Sequence, residues 1–585
     1  MPHAVSAGRR LFARFFPFLA WAGEVRHPLT LRADLIAGIT VALVLVPQSM
    51  AYAQLAGLPV QYGLYAAFLP PIVAALFGSS RQLSTGPVAV VSLMTAAALG
   101  PLVATNPEGY VAYAVLLAFM VGLFQLMLGL LRLGVLVDFL SHPVVVGFTN
   151  AGALIIATSQ IGKLVGVSVS GFEHHYETVW YTVQAAMTQT HLPTLWMGML
   201  AFVIMFGLRS AAPKAPSVLI AVVATTLLAY STGFQEAGGR VVGEIPVGLP
   251  GMTLPSLDWP VMVSLITAAV TIALIGFMEA MSIAKVMAAR SRQRLDANQE
   301  LVGQGLSNIV SGAFSGYPVS GSFSRSAVNF NAGAVTGFSS VVAGLAVAVA
   351  LLWLTPLLYH LPQATLAAVI ILAVVNLFKI APIIHAWKAE PTDGVVAVVT
   401  FGLTLLFAPH LDQGILAGVG LSLILFLFRT MRPRFAVLSR YEDGTMRDIA
   451  VHHLPTSPKI SIVRFDGSLY FANAGYFETR VLAVVADNPE LEYLIIDGEG
   501  INQLDATGEE VLHHLAERLR ERGIEVLVAR MKKQFMDTIR RTGLIHIMGE
   551  DHFFSRVTYA LNYAWDRLGD RYDRTTCPLR SPAVT

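Results

Sequence analysis

Two short stretches carry the strongest chemical suggestion in the chain. Ser84-Thr85-Gly86-Pro87-Val88-Ala89 and Ser320-Gly321-Ser322-Phe323-Ser324-Arg325 are both small, hydroxyl-rich and broken by Gly or Pro, and each opens an apolar run. That pattern marks a discontinuous helix. Non-helical backbone at membrane depth must be buried in protein or face a water-filled cavity. Two half-helices meeting head to head would turn their N-terminal amides and positive dipole ends on one point, which attracts an anion. Thr85, Ser84, Ser322 and Ser324 would add hydroxyl donors. Close helix packing by small residues is the plainer alternative.

Three further residue sets converge on the same idea. Arg325 is a charge inside an apolar segment, where charges are costly and usually functional. Its planar fork suits an oxyanion, although a structural ion pair or a snorkelling side chain would also explain it. Glu279 follows a long apolar run and reads as a proton-accepting carboxylate, as the permanent partner of Arg325, or as part of a sodium site. Were Glu279 and Arg325 to share a cavity, a proton arriving at Glu279 would release Arg325 for an anion. Gln48 and Tyr52 lie four apart on one helix face beside Pro47, which loosens the helix there. Both could line the site, and Tyr52 could equally be core.

The elements that must hold these residues are membrane helices. Of 585 residues, 55% are hydrophobic and 13% charged, against about 25% charged in an ordinary soluble chain. Ile36 to Ser80, Gln82 to Pro107 and Trp259 to Met278 contain no Asp, Glu, Lys or Arg. Cys577 is the only cysteine, which excludes a disulfide scaffold. A net charge of +2 with scattered basic residues argues against nucleic-acid binding. Enzymatic signatures are absent: there is no Walker A pattern, no nucleophile elbow and no zinc-spaced Cys/His set. The chain is therefore expected to be no enzyme and to need no cofactor or metal.

With about 20 apolar residues per crossing, spans are expected near 33–56, 62–78, 87–103, 110–131, 138–160, 192–208, 216–232, 260–287, 298–314, 323–333, 335–358, 364–379, 394–409 and 412–431. Those at 87–103 and 323–333 are too short or too interrupted to cross alone. Basic residues gather in every second loop except the short one after the tenth span: Arg9 to Arg32, Arg81, Arg132, Arg209 with Lys214, Lys285 to Arg294, Lys379 with Lys388, and Arg429 to Arg434. The alternate loops carry Glu108, Glu173, Glu177, Glu236, Glu244 and Asp412, with Arg240 the clear basic exception. The positive-inside rule then puts both ends in the cytoplasm. Seven is odd, so two seven-span halves would be inverted. Residues 46–51 echo 277–282, and 84–89 echo 320–325, at a similar offset.

The expected organisation is an interfacial N-terminal segment at 1–32, with no cleavable signal. A membrane domain follows at 33–435, a linker at 436–456, a soluble α/β domain at 457–565 and a disordered tail at 566–585. In the soluble part, 460–465, 493–497 and 524–529 read as strands, and 507–522 and 533–542 as helices. Thr507, at a strand-to-helix turn, reads as a phosphorylation site or a helix cap.

These residues resemble the SulP, or sulfate permease, anion transporters. The resemblance rests on Val46-Pro47-Gln48-Ser49-Met50-Ala51-Tyr52-Ala53, continuing through Leu55 to Pro59 and Gly63-Leu64-Tyr65. Phe77-Gly78-Ser79-Ser80-Arg81 and Gly86-Pro87-Val88-Ala89 extend it. The C-terminal part resembles a STAS domain, and Asp505-Ala506-Thr507-Gly508 resembles the phosphorylation loop of anti-sigma-factor antagonists. The resemblance implies fourteen spans in a seven-plus-seven inverted repeat, divided into core and gate domains, with substrate between half-helices 3 and 10. It places Gln48, Tyr52, Val88, Phe323, Ser324 and Arg325 on the substrate, beside the Thr85 and Gly86 of the first stretch. It further implies an elevator motion, a homodimer in the bilayer, a bacterial inner-membrane location, and a STAS domain that joins dimer contacts or binds a regulator. Gly276 to Lys285 resembles the span-8 motif of proton-coupled sulfate carriers. Sodium-coupled bicarbonate members have an aspartate there and a hydroxyl residue one turn later, where this chain has Ile283. Sulfate with a proton on Glu279 is the expectation, with bicarbonate, dicarboxylates, uncoupled exchange and a membrane signalling role as alternatives.

Overall fold

The computed structural model describes residues 16–103, 109–135, 141–169, 174–212, 215–375 and 377–580. The interfacial reading of Arg9, Arg10, Arg14 and Phe15, and the loop charges Glu108, Glu173 and Lys214, lie outside them. Two compact units part between Ser422 and Leu423.

In the first unit every expected span meets a helix: α1 (Pro28–Leu55), α2 (Val60–Phe77), α3 (Ala89–Val103), α4 (Tyr110–Leu130) and α5 (His142–Ser159). After α6 (His175–Gln189) come α7 (Leu192–Ala211), α8 (Ser217–Ser231), α9 (Trp259–Ser291), α10 (Ala297–Ala313), α11 (Phe323–Asn331) and α12 (Phe338–Val349). The series ends with α13 (Gln363–Val375), α14 (Ala381–Ala389), α15 (Pro391–Phe407) and α16 (Leu411–Met431), the last running across the boundary between the units. Among the described residues, eight helices are long and apolar enough to cross a bilayer alone. α6 and α14 were not expected, because a search for long apolar runs passes over short or polar helices. α11 has nine residues, about 14 Å at 1.5 Å per residue, and is half a span.

The interior of this unit combines apolar clusters with very close helix packing. One cluster joins Val91 and Met94 of α3 to Leu116 and Val121 of α4 and Leu265 and Ile272 of α9. Another joins Leu45, Met50 and Tyr52 of α1 to Leu366 and Ile370 of α13. α10 lies backbone to backbone on α4. A Cβ on Gly122 would stand 2.6 Å from the Gly305 carbonyl oxygen, and one on Gly305 would stand 2.5 Å from the Leu126 nitrogen. Small residues let membrane helices approach in this way, and α10 is thereby held rigidly where it can support other segments.

Two short strands, β1 (Thr85–Gly86) and β2 (Ser320–Gly321), belong to the first unit, and the second contains a six-stranded sheet in the order Met446–Asp448, Phe435–Arg440, Ile460–Phe465, Tyr493–Asp497, Glu525–Ala529 and Phe553–Phe554. In chain order these six strands are β3 (Phe435–Arg440), β4 (Met446–Asp448), β5 (Ile460–Phe465), β6 (Tyr493–Asp497), β7 (Glu525–Ala529) and β8 (Phe553–Phe554). β5, β6, β7 and β8 are parallel neighbours, while β3 is antiparallel to both β4 and β5. Successive side chains point to opposite faces. Val526 and Val528 accordingly join the helices Ala474–Asp487, Ala506–Glu521 and Lys533–Thr542 on one face. Leu527 and Ala529 join helix Val557–Leu568 on the other.

Two expected boundaries are corrected here. Residues 436–456 are not a linker: Ala436 and Leu438 are buried, and β3 pairs with β5 from Phe435↔Phe465 to Leu438↔Ile462. The stretch from 566 to 580 is not a disordered tail. Cys577 and Leu579 are buried against Trp565 and Leu568, and the Arg440 Nε–H donates to the Leu579 carbonyl at 2.8 Å. Its polar composition hid two apolar side chains that complete the second face.

Candidate functional site

The two short stretches meet. Thr85–Gly86 (β1) and Ser320–Gly321 (β2) form an antiparallel pair with Thr85 opposite Gly321 and Gly86 opposite Ser320. The Ser322 amide donates to the Ser84 carbonyl at 2.9 Å, and the Ser84 amide donates to Ser326 Oγ at 2.9 Å. Each strip leads directly into a helix, α3 at Ala89 and α11 at Phe323. The positive ends of two helices are thus brought to one small ladder. An antiparallel pair between corresponding segments is what an inverted repeat produces.

Arg325 sits at this junction with no exposed surface. Its Nη1 donates to Gln48 Oε1 at a long 3.4 Å, while Nε and Nη2 have no hydrogen-bond partner among the described residues. A buried guanidinium with unmet donors is expensive, so this geometry calls for an acceptor. Gly86 has φ +152°, and a Cβ there would stand 3.3 Å from Nη2. Glycine therefore permits both the backbone turn and the approach of the guanidinium. Gln48, Tyr52, Thr85 and Val88 are buried around the junction. Phe323 is 50% exposed and Ser324 is exposed, so the first turn of α11 opens outward while Arg325 points inward.

Glu279 reaches the same place through α9. Ser320 Oγ donates to the Gly276 carbonyl at 2.6 Å, and a Cβ on Gly321 would stand 3.0 Å from Cα of Ala280. Glu279 Oε2 is buried without a hydrogen-bond partner among the described residues. The free carboxylate oxygen and the two free guanidinium nitrogens are not within hydrogen-bond distance of each other. The permanent Arg–Glu strut is not formed, and both groups are left open to other partners. Ser322 Oγ caps α11 by accepting from the Arg325 amide at 3.5 Å and keeps its own hydrogen. Thr85 Oγ1 accepts from Gln304 Nε2 at 2.9 Å and keeps its own hydrogen.

The sequence reading passed over the supports of this site. Glu300, Gln304, Ser307, Asn308 and Ser311 form a buried polar face on α10. Asn308 grips Val319 on both sides, its Oδ1 accepting from the amide at 2.8 Å and its Nδ2 donating to the carbonyl at 3.0 Å. Ser311 Oγ donates to the Tyr317 carbonyl at 2.7 Å. Glu300 Oε2 accepts from the Ser79 amide at 2.8 Å, the Ser80 amide at 2.9 Å and the Ser79 hydroxyl at 3.0 Å. One helix face thereby sets both strips. Its spacing of four, three, one and three was visible in the sequence as a polar stripe inside an expected span. Tyr317, hydrogen-bonded to Ser92 at 2.9 Å, is a further buried neighbour that had been missed.

In the second unit Thr507 is exposed near the start of helix Ala506–Glu521. The capping role belongs to Asp505, whose Oδ1 accepts from the Gly508 amide at 2.8 Å. Thr507 does not cap, and its hydroxyl stands open.

Comparison with known proteins shows the family and the fold. Residues 31–400 match the sulfate permease family, and residues 453–560 match the STAS domain. The chloroplastic sulfate transporter 4.1 of Arabidopsis thaliana is 37% identical over 563 residues, 93% of this chain and 81% of the relative. The solved structure of the murine solute carrier 26 member A9 anion transporter, in its inward-facing state, has a TM-score of 0.88 at 23% identity, covering 96% of each chain. The transmembrane domain of a cyanobacterial bicarbonate transporter, BicA, has a TM-score of 0.58 at 25% identity, covering 67% of this chain and 98% of that one.

Proposed function

The chain belongs to the sulfate permease family, and on that premise we propose that it is a secondary active sulfate transporter that moves the anion together with a proton. It is an integral multi-pass membrane protein of an anion-transporting family, not an enzyme. The observation that carries the finer reading is the fully buried Arg325, with two unpartnered guanidinium nitrogens, at the meeting point of two helix N-termini.

A dianion entering this site exchanges its water for the guanidinium fork and for amides already fixed in place. Charge-assisted hydrogen bonds of this kind contribute about 1.5–3 kcal/mol each. Gln48, Tyr52, Thr85, Gly86 and Val88 shape the pocket around it, and Phe323 and Ser324 stand at its open side. Arg325 and an ionised Glu279 sum to zero, so a dianion alone would leave two uncompensated negative charges. A proton on Glu279 removes one of them, and binding of proton and sulfate becomes mutually favourable. Thermodynamic linkage makes that coupling reciprocal. Exposure of the loaded site to the other side follows from an elevator movement of the helices that carry it. The functional particle is a homodimer in a bacterial inner membrane with both ends in the cytoplasm. Its STAS domain is the point of attachment for a regulator, with Thr507 available for phosphorylation.

The deciding experiment is labelled sulfate uptake into proteoliposomes at zero sodium. An inward proton gradient should drive accumulation in the native protein. Glu279→Gln should still exchange sulfate but lose the response to the gradient, whereas unchanged accumulation would remove Glu279 from the coupling. Bicarbonate is the specific rival, because the BicA membrane domain matches 67% of the chain. Failure of sulfate to enter, with bicarbonate entering instead, would replace sulfate as substrate.

A further inference from the structure

Two basic residues run against the charge asymmetry of the loops. In the segments between spans 5 and 6 and between spans 7 and 8, on the side opposite the Arg-rich loops, the Lys and Arg residues are Lys163 and Arg240. They are far apart in sequence, yet both line one cavity of about 270 Å³. A single water needs only about 15 Å³, so the space admits a hydrated small ion. This cavity is built from residues of the first unit that belong to none of the elements around Arg325.

Its lining is part apolar, through Val167, Val169, Val179 and Ala364, and part cationic and polar. Besides Lys163 and Arg240 it contains His175, Ser168, Thr194 and Gln363, together with Thr158, Ser159 and Thr182, whose hydroxyls donate to the carbonyls of Leu154, Ile156 and Thr178, and among the described residues no Asp or Glu. Lys163 lies on the short helix Ile161–Val165 and makes no hydrogen bond or ion pair among the described residues. Arg240 Nη1 donates to Ser168 Oγ at 2.5 Å, which anchors the guanidinium at the rim and leaves its other donors available. His175 Nε2 and Thr158 Oγ1 are 2.8 Å apart. The turn at Gly166, with φ +78°, carries 167–169 back over the short helix, and the Val167 amide donates to the Gly162 carbonyl at 2.8 Å. A Cβ on Gly162 would stand 2.9 Å from the Val167 carbonyl oxygen, so glycine makes this fold-back possible.

We infer that this cavity is a second anion site, separate from the Arg325 junction, which holds a tetrahedral oxyanion between Lys163 and Arg240. Two cations with no Asp or Glu beside them among the described residues make the enclosure positive, and such enclosures raise the local concentration of anions. The shared chemistry is that of sulfate or phosphate. A free ion is the occupant assigned here, and the phosphate of an anionic lipid is the competing source.

The test uses the full chain in nanodiscs. Arg325→Ala disables the junction, and labelled sulfate binding is then measured alone and combined with Lys163→Gln or Arg240→Gln. Residual binding of about one equivalent should persist in Arg325→Ala, weaken about tenfold in either double variant, and return with Lys163→Arg. Absence of residual binding, or residual binding indifferent to Lys163→Gln, overturns the second site without touching the transport reading, which the uptake assay judges separately. The series is repeated in phosphatidylcholine alone and with phosphatidylglycerol. Equal binding in both supports a free ion. Loss of sulfate binding in phosphatidylglycerol, with lipid retention that depends on Lys163, assigns the cavity to lipid and overturns the proposal.

Discussion

Gly86 shows how much a site can depend on a missing side chain. Its backbone lies at φ +152°, where an L-residue is strained, and its face is the wall against which Arg325 Nη2 rests, 3.3 Å from where a Cβ would be. Gly86→Ala should therefore act twice, through roughly 1–3 kcal/mol of backbone strain and through a guanidinium displaced by a few tenths of an ångström. Uptake at limiting sulfate should fall about tenfold, with a smaller loss at saturating sulfate and no loss of expression. Concentration-dependent uptake in proteoliposomes separates these terms, and a normal curve would mean that Nη2 does not face the anion. The residues at the junction were legible before the structure was known, because Gly, Pro, Ser and Arg are out of place in apolar spans. What could not be read was their pairing state. Whether Arg325 and Glu279 close on each other or stay apart depends on distances between α9 and α11, and only the three-dimensional arrangement shows both groups with unmet donors and acceptors.

At the scale of elements, α10 is the part that sequence reasoning undervalued. It was read as one more crossing, yet its buried polar face positions both strips. Asn308 satisfies an amide and a carbonyl of Val319 at once, 2.8 and 3.0 Å away. Asn308→Leu would bury both groups unpaired, each at a cost of about 1–3 kcal/mol. The strip before β2 should loosen, so the KM for sulfate should rise several-fold and the melting temperature of the purified protein should drop. Asn308→Asp, which keeps only the accepting half, should fall between the two. If KM is unchanged while melting drops, α10 serves stability alone. The strands and helices of the second unit were legible wherever the alternation or the amphipathic pattern was long, as at Ile460–Phe465 and Ala506–Glu521. β3 and the 566–580 stretch were not, because a single strand after a membrane helix and two apolar residues in a polar tail carry little local signal. Their place is decided by pairing with β5 and by the uncovered face of the sheet.

For the whole molecule the charge asymmetry of the loops makes the most exposed commitment. It requires the loop that carries Arg240 and the sheet that carries β3 to lie on opposite sides of the bilayer. The chain offers a direct way to check this, since Cys577 is its only cysteine. Cys577 is buried, and Cys577→Ser gives a background free of thiols. Into it a single cysteine is placed at Gly238, in the loop after α8, or at Gly444, between β3 and β4. A Cβ at Gly444 would meet open space and one at Gly238 only an ordinary contact, 3.7 Å from His191 Nε2, although the positive φ of both makes the substitution mildly strained. A membrane-impermeant maleimide added to intact cells should label Gly238→Cys at once and Gly444→Cys only after lysis. The reverse pattern would invert the chain. It would put the Lys163–Arg240 cavity on the cytoplasmic side and turn the positive charge there from an exception into the rule. Because the positive-inside effect acts through short loops near span ends, two basic residues on the opposite side would need a reason, and the cavity they share, with no Asp or Glu among the described residues, would supply one. The same labelling result thus decides the orientation and the force of the argument for a second anion site.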